Sequence, residues 1–489
     1  KISQWIIDYR LPAFIVTIVA TALAIAGLGQ LTFTSDYRIF FSDDNPELMA
    51  YQKIQDTYGQ SDNVMFLLAP RNGDLFTSEN IAATEWLTKK CWELPYSQRV
   101  DSITNFQHTA VSEDDLIVSF LSEVAAEQGP EAMKEIAIHE PMLVNRLISP
   151  SAHVTAINVY LELPADQTGP LKILMNKARE LKSNFIARYP QFEVYILGIA
   201  PVNHGFNEVA QSDNKTIFPA MMLVILVLVG LLLRSISSTL ITMAIILMSV
   251  LATFGLTGLL GIPLNTVNMI TPLLLITLAV ADCVHILSHY LACLRKGLDS
   301  VSAMRTSMEI NLFPVFLTSF TTAIGFLSMN FSDSPPFREL GNLSGMGVAI
   351  TFLFSIALLP QLGIWFTRNK HAFDSTWTEA FDKLAAFVIR NHLVLFWVCL
   401  LAAISVISFI PKNEMNDDNV GYFSTDLPIR QAADFAQANL SGMHVIEYAL
   451  DSKQTNGISD PKFLEQVYAF TEWYRQQPEV NHARKPRAR

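Results

Sequence analysis

The chain has 489 residues, of which 51% are hydrophobic and only 16% charged, with a formal net charge of -11 and a mean hydropathy of +0.30. Soluble domains carry about 25% charged residues, so this composition excludes an ordinary cytosolic enzyme and a disordered chain. The acidic balance also disfavours nucleic acid as a partner. Four cysteines, Cys91, Cys283, Cys293 and Cys399, are too few and too scattered for a disulfide scaffold or a Cys-rich zinc site. No cofactor is implied.

A bilayer-spanning helix needs about 20 mostly apolar residues. Seven stretches qualify: 11–33, 216–233, 238–260, 269–292, 311–331, 340–366 and 393–411. The first is longer than a signal-peptide core and lacks a clear small-x-small cleavage site, so it reads as a retained anchor. Between it and the second helix, residues 34–214 are long enough for an independent core. Strand-like runs at 63–69, 99–106, 153–163 and 192–199 alternate with helical runs at 78–93 and 170–188. The order β-α-β, an insertion, then β-α-β predicts a ferredoxin-like α/β domain. The insertion, about 107–150, reads as mostly helical. It carries no nucleophile elbow, phosphate loop or metal spacing.

Five of the seven predicted helices follow as one unit over 215–367. A linker at 368–392 then carries an amphipathic helix, 376–390, with Trp377, Phe381, Leu384 and Val388 on one stripe. That pattern suits a helix lying on a membrane surface. Lys1, Arg10, Arg234, Arg295, Lys296, Arg305, Arg368, Lys370, Lys383 and Arg390 fall on one side, whereas the opposite short loops hold a single Arg, Arg338. The positive-inside rule then places the N-terminus in the cytoplasm, with 34–214 and 412–489 outside.

The chain also repeats itself. At a shift of 382 residues, Asp36, Phe41, Ser42, Asp44, Pro46, Ala50 and Gln55 recur as Asp418, Phe423, Ser424, Asp426, Pro428, Ala432 and Gln437. The run at 64–68 recurs at 446–450, and Leu11 and Phe14 recur as Leu393 and Phe396. Polar matches outside the apolar runs are not explained by shared hydrophobicity. The seventh helix (393–411) therefore begins a second copy, and 412–489 is a partial second exported domain. That copy stops at Arg489 after a basic tail, HARKPRAR, which points to truncation or a frameshift.

The fourth predicted helix (269–292) holds the ionisable residues that carry chemistry. Asp282 lies near its middle, where a charged carboxylate costs roughly 2.5–3.5 kcal/mol on insertion scales. Low dielectric favours the neutral carboxyl. A group that alternates between the two states is what proton-coupled transport requires, each proton moved through 100 mV supplying about 2.3 kcal/mol. His285 and His289 follow at i+3 and i+7 and are read as sharing a face with Asp282. Asp282, His285 and His289 are thus the candidate proton relay, with Thr318, Ser319, Thr321 and Thr322 of the fifth helix as support. Two other readings stand beside this one. The cluster is purely structural, paired with Ser or Thr of the fifth helix; or the His pair and Asp282 hold a metal, for which no fourth ligand is evident. Pro219, Pro263, Pro272 and Pro314 read as packing features first and gating hinges second. Gly341, Gly345 and Gly347 form a surface for close helix contact.

One helix, a large exported domain, five helices and a repeat resemble the resistance–nodulation–division (RND) superfamily, in particular its MMPL-type exporters. Segments 317–329, 338–349 and 36–46 are similar to the family's fifth-helix, sixth-helix and domain-opening patterns. The resemblance implies a porter-type exported domain and a sterol-sensing-like unit over helices two to six. It implies export of a hydrophobic or amphiphilic substrate driven by the proton motive force, in a bacterial inner membrane with the large domains periplasmic. Asp282 matches the family's fourth-helix acid. Leu278 departs from the family's Gly at that place, and the family's second relay set, on a tenth helix, lies beyond this chain's seven. The partners implied are membrane lipid, the substrate, protons, and a second copy or a missing second half. The competing reading is a non-transporting lipid-sensing or scaffold module. An enzyme is disfavoured, because no nucleophile is paired with a base.

Overall fold

The computed structural model describes residues 7–34, 36–59, 62–112, 115–164, 168–367, 376–413, 418, 420–440, 446 and 448–477. It opens with α1 (Arg10–Ile25), extended by a 3-10 turn to Gln30. An α/β unit follows: α2 (Pro46–Tyr58), β1 (Asn63–Pro70), α3 (Ser78–Cys91), β2 (Ser97–Asp101), β3 (Gln107–Ser112), β4 (Asp115–Phe120), α4 (Leu121–Gln128), α5 (Pro130–His139), β5 (Thr155–Leu161), α6 (Thr168–Arg188) and β6 (Phe192–Leu197). The bundle is built by α7 (Ile199–Leu233), α8 (Ile236–Leu259), α9 (Thr271–Arg295), α10 (Ser300–Leu327), α11 (Pro335–Ala357) and α12 (Leu359–Phe366). The chain then runs through α13 (Thr376–Arg390), α14 (His392–Ile407), α15 (Pro428–Asn439) and α16 (Pro461–Arg475). Among the described residues seven helical stretches are long and apolar enough to cross a membrane, each overlapping one of the seven predicted runs.

The main sheet is antiparallel with strand order β2-β5-β1-β6. Its register pairs Phe66 with Ile157 on one side and with Ile196 on the other. Two helices, α3 and α6, cover it. Thr77 accepts a bond from the Asn80 amide (3.2 Å), and α3 carries Glu79 in its first turn and Lys89 and Lys90 in its last, charges that suit the helix dipole. Ile81, Leu87 and Cys91 of α3 join Leu174, Ala178 and Phe185 of α6 and Phe66 and Ile157 of the sheet in one core. The insertion departs from its expected helical character. β3 and β4 pair as a separate two-stranded sheet, and among the insertion's described residues only α4 and α5 are helical. Leu116, Ile117 and Val118 are all exposed, so no buried face imposed an alternating pattern on the sequence. The strand expected over 99–106 ends at Asp101, where Ser102 and Asn105 turn the chain through a side chain-to-backbone bond of 2.8 Å.

The bundle differs from the apolar runs mainly at helix ends. α7 begins at Ile199 and carries the chain out of the sheet unit in one piece of 35 residues. The run at 340–366 is two helices, broken where Pro360 removes an amide at the start of α12. α1 lies on α8 at backbone contact. A Cβ on Gly27 would sit 2.0 Å from the Gly255 carbonyl oxygen, and one on Gly258 would sit 2.0 Å from that of Gly27. Gly341 makes the same kind of approach to the Phe326 carbonyl, whereas Gly347 packs against the side chains of Leu275 and Thr253. At the exit of α1, Phe33 bridges Leu264, with Thr34 and Leu264 each donating a 2.8 Å bond across.

Under the shift of 382 residues, Arg10–Gln30 falls on His392–Lys412 and the start of α2 on the start of α15. Asp36 accepts from the Arg38 amide (2.9 Å), and Asp418 from the Val420 amide (3.1 Å). The two copies then differ in environment. Phe41 is 46% exposed, whereas Phe423 is 4% exposed and its ring lies 4.5 Å from that of Phe206. α15 packs on the β6 edge, Phe435 lying 4.5 Å from Tyr195. The described residues of 446–450 are not in a strand. α13 has its expected bounds with Leu384 and Val388 exposed; the Trp377 and Phe381 side chains lie outside the described residues. No residue of α14 is buried.

Candidate functional site

α9 starts at Thr271–Pro272, where proline suits the first turn of a helix. Its packed stripe runs Leu275, Ala279, Cys283, Ile286, Leu287, Tyr290, the i, i+3, i+4 rhythm of a helix with one buried face. Asp282 lies at the edge of that stripe and is 6% exposed. The side chain that lies beside its carboxyl is Ser319 of α10, itself 7% exposed. A carboxyl in the middle of an apolar helix, in contact with one neutral donor, can be held protonated or charged with a small rearrangement of that donor.

The two histidines separate from Asp282. Successive residues turn about 100° around a helix, so His285 stands about 60° from Asp282 and away from the stripe. It is exposed, and His289 is half-buried. Neither imidazole makes a hydrogen bond or ion pair with Asp282 among the described residues. Sharing one face by spacing thus does not place all three in one contact. Of the supporting hydroxyls only Ser319 reaches the carboxyl. Thr318 donates to the carbonyls of Pro314 (3.1 Å) and Val315 (3.0 Å), and Thr321 to that of Leu317 (2.9 Å), both within their own helix. Thr322 is half-buried. Among the described residues no three His, Cys, Asp or Glu side chains converge as metal ligands would.

Other polar contacts tie the bundle and were not singled out from the sequence. Glu339, at the start of α11, accepts from Asn265 (2.5 Å), whose backbone amide donates to Asn268 (2.9 Å). Ser307 of α10 donates to the Ile286 carbonyl (2.6 Å), and Tyr290 to that of Gly363 (3.1 Å). Glu339 was discoverable, being an ionisable residue adjoining a predicted span. Asn265 carried no signal, since a polar residue in a loop is the ordinary case.

Comparison with known proteins agrees with this architecture. The model of the MMPL family matches residues 49–391. The membrane protein MJ1562 of Methanocaldococcus jannaschii is 21% identical over 355 residues, 72% of this chain and 90% of that protein. "Probable transport protein MmpL1" of Mycobacterium tuberculosis is 24% identical over 308 residues, 58% of this chain and 32% of its own length. Multidrug resistance protein MdtC of Citrobacter koseri is 24% identical over 243 residues, 46% of this chain and 23% of its own length. The chain thus spans about a third and a quarter of the two longer relatives. With seven helices long and apolar enough to cross a membrane among the described residues, one of them carrying a buried acid, and a family match over most of its length, this chain belongs to the MMPL family.

Proposed function

We propose that this chain is the first half, with the start of the second, of a secondary active transporter that exports a hydrophobic or amphiphilic molecule using the proton motive force. The observation that carries the proposal is Asp282, buried at mid-helix against Ser319 in a stripe that is otherwise apolar. A carboxyl has no packing reason to be there, and carries a cost that a functional role explains. The names of two relatives, a transport protein and a multidrug resistance protein, support transport as the activity class. Proton arrival at Asp282 neutralises it. Its contact with Ser319 then changes, biasing the α9–α10 packing. The movement reaches the α/β unit through α7, one continuous helix from β6 into the bundle.

The placement follows the same reading. The N-terminus lies in the cytoplasm of a bacterial inner membrane, 34–214 is a periplasmic domain and 412–489 begins its counterpart. The excess of Lys and Arg on one side supports this. The antiparallel order β2-β5-β1-β6 with two covering helices supports a ferredoxin-like, porter-type domain. α13, within the linker 368–392, is an interfacial helix, and 215–367 is the transmembrane unit. A second reading, a lipid-sensing module that does not transport, is favoured by His285 being exposed and His289 half-buried, neither bonded to Asp282. Proteoliposomes separate the two. An imposed pH gradient should drive movement of a fluorescent amphiphile by the intact transporter, and Asp282→Asn should abolish it without loss of folded protein. Full movement by the Asn variant sinks the relay, and amphiphile binding without pH-driven movement establishes the sensing module.

A further inference from the structure

Away from the bundle, a groove of about 500 Å³ runs between α3 and α6 on the outer face of the α/β unit. Its volume is in the range of small-molecule sites. Trp86, Leu94 and Leu181 supply an apolar floor, and the Trp86 ring is held in place by Phe185 (6.2 Å between centroids) and Tyr189 (6.1 Å). Charge lines both walls, but most of it is internally neutralised. Lys90 pairs with Glu93 at 2.7 Å and Lys177 with Glu180 at 2.8 Å. Arg188 is different. Its guanidinium lies 5.3 Å from the Trp86 centroid and 5.6 Å from that of Tyr189, and no carboxylate is within ion-pair reach among the described residues. On a chain of net charge -11, this groove therefore carries one surplus positive charge beside an aromatic floor.

We propose that this groove binds an anionic amphiphile, with the acidic head on Arg188 and the apolar part across Trp86 and Leu181. The chemistry is complementary on both counts. A guanidinium takes a carboxylate or phosphate in a two-pronged bond. It lies over the indole of Trp86 at cation–π distance, at the side of the groove. The alkyl part covers apolar surface that water now wets. The two Lys–Glu pairs flank the path and add no net charge, so they admit the chain without competing for the head. The inference rests on the export reading for its purpose, since such a groove would gather substrate outside the membrane. Its binding claim is tested without transport.

The intact chain in phosphatidylcholine nanodiscs is exposed to palmitate carrying a photoreactive diazirine, irradiated and mapped by peptide mass spectrometry. Hexadecanol carrying the same diazirine is run in parallel. The expected result is labelling of 86–94 and 177–188 by the acid and not by the alcohol. Arg188→Gln, an exposed substitution that leaves the core untouched, should lower that labelling about tenfold, the loss of one charge-assisted bond. Trp86→Leu should lower it as well. Equal labelling by the alcohol, or no change with Arg188→Gln, overturns the proposal. So does a chain-to-chain cross-link showing that a second copy covers the groove. Asp282→Asn should leave groove labelling intact, so a failure of proton coupling and a failure of this site give different results.

Discussion

The closest helix contact in the bundle yields a quantitative test. A Cβ on Gly255 would stand 2.0 Å from the Ala24 carbonyl oxygen, 2.6 Å from its carbon and 2.9 Å from the Ile25 Cα. All three obstacles are backbone, so no rotamer relieves them. An ordinary contact begins near 3.4 Å, so α1 and α8 must part by roughly 1.4 Å in Gly255→Ala. The reciprocal contacts of Gly27 and Gly258 are then lost together. Overpacking of this kind costs about 1–3 kcal/mol, and backbone obstruction puts it at the upper end. Better helix propensity of Ala returns about 1 kcal/mol. The net loss is about 2 kcal/mol, a factor of roughly 30 in the folded ratio. Gly325→Ala is the matched control, because nothing lies within 4 Å of its Cβ position and only the propensity gain remains. Reversible unfolding in mixed micelles, followed by tryptophan fluorescence, reads both. Equal midpoints for the two variants would refute the claim that direct backbone contact seats α1 on α8.

Four further outcomes are expected. Ser319→Ala removes the hydroxyl that meets Asp282, worth about 1 kcal/mol, and should reduce pH-driven transport about fivefold; Thr318→Ala and Thr321→Ala, whose hydroxyls bond to their own helix, should stay near wild type in the same assay. Asp62 is 4% exposed with an unpartnered Oδ2, and burial pushes its carboxyl above the usual range. A raised carboxyl loses stability as pH climbs through the folded value. Asp62→Asn should therefore melt higher than wild type at pH 7, and the gap should close below about pH 4; a gap independent of pH would contradict this. Cys91 is fully buried and its thiol is pushed up by burial, so a water-soluble maleimide should label it, by mass mapping, only under conditions that unfold the α/β unit. Gln361 is fully buried with neither amide atom hydrogen-bonded among the described residues. Gln361→Leu should be neutral or stabilising by about 1 kcal/mol in the micelle assay, and a clear loss of stability would show that the amide is satisfied.

The features legible in the sequence are those that depend on runs and periods. Apolar stretches of twenty residues identify spans because a bilayer leaves helices as the solution for a single segment. The four main-sheet strands were read because each is bounded by turn chemistry and packs on a core. Gly341 and Gly347 were legible as contact residues, yet Gly27 and Gly255, which make the closest approach, were passed over inside apolar runs. A glycine in such a run looks like any small residue until the facing backbone is placed against it. The β3–β4 pair escaped for the opposite reason. Its exposed Leu116, Ile117 and Val118 obey no burial pattern.

The candidate site divides in the same way. Sequence alone determined that an acid, Asp282, occupies the middle of an apolar span, that two histidines follow it at helical spacing, and that hydroxyls crowd the next helix. It also determined the repeat, because polar identities at a constant shift need no coordinates. Only the tertiary structure decided that Ser319 meets the acid while Thr318 and Thr321 bond to their own backbone, and that His285 turns outward. Spacing sets the angle between side chains on one helix. The rotation of that helix about its axis is set by what its neighbours bury, here the stripe from Leu275 to Tyr290 against α8, α10 and α11.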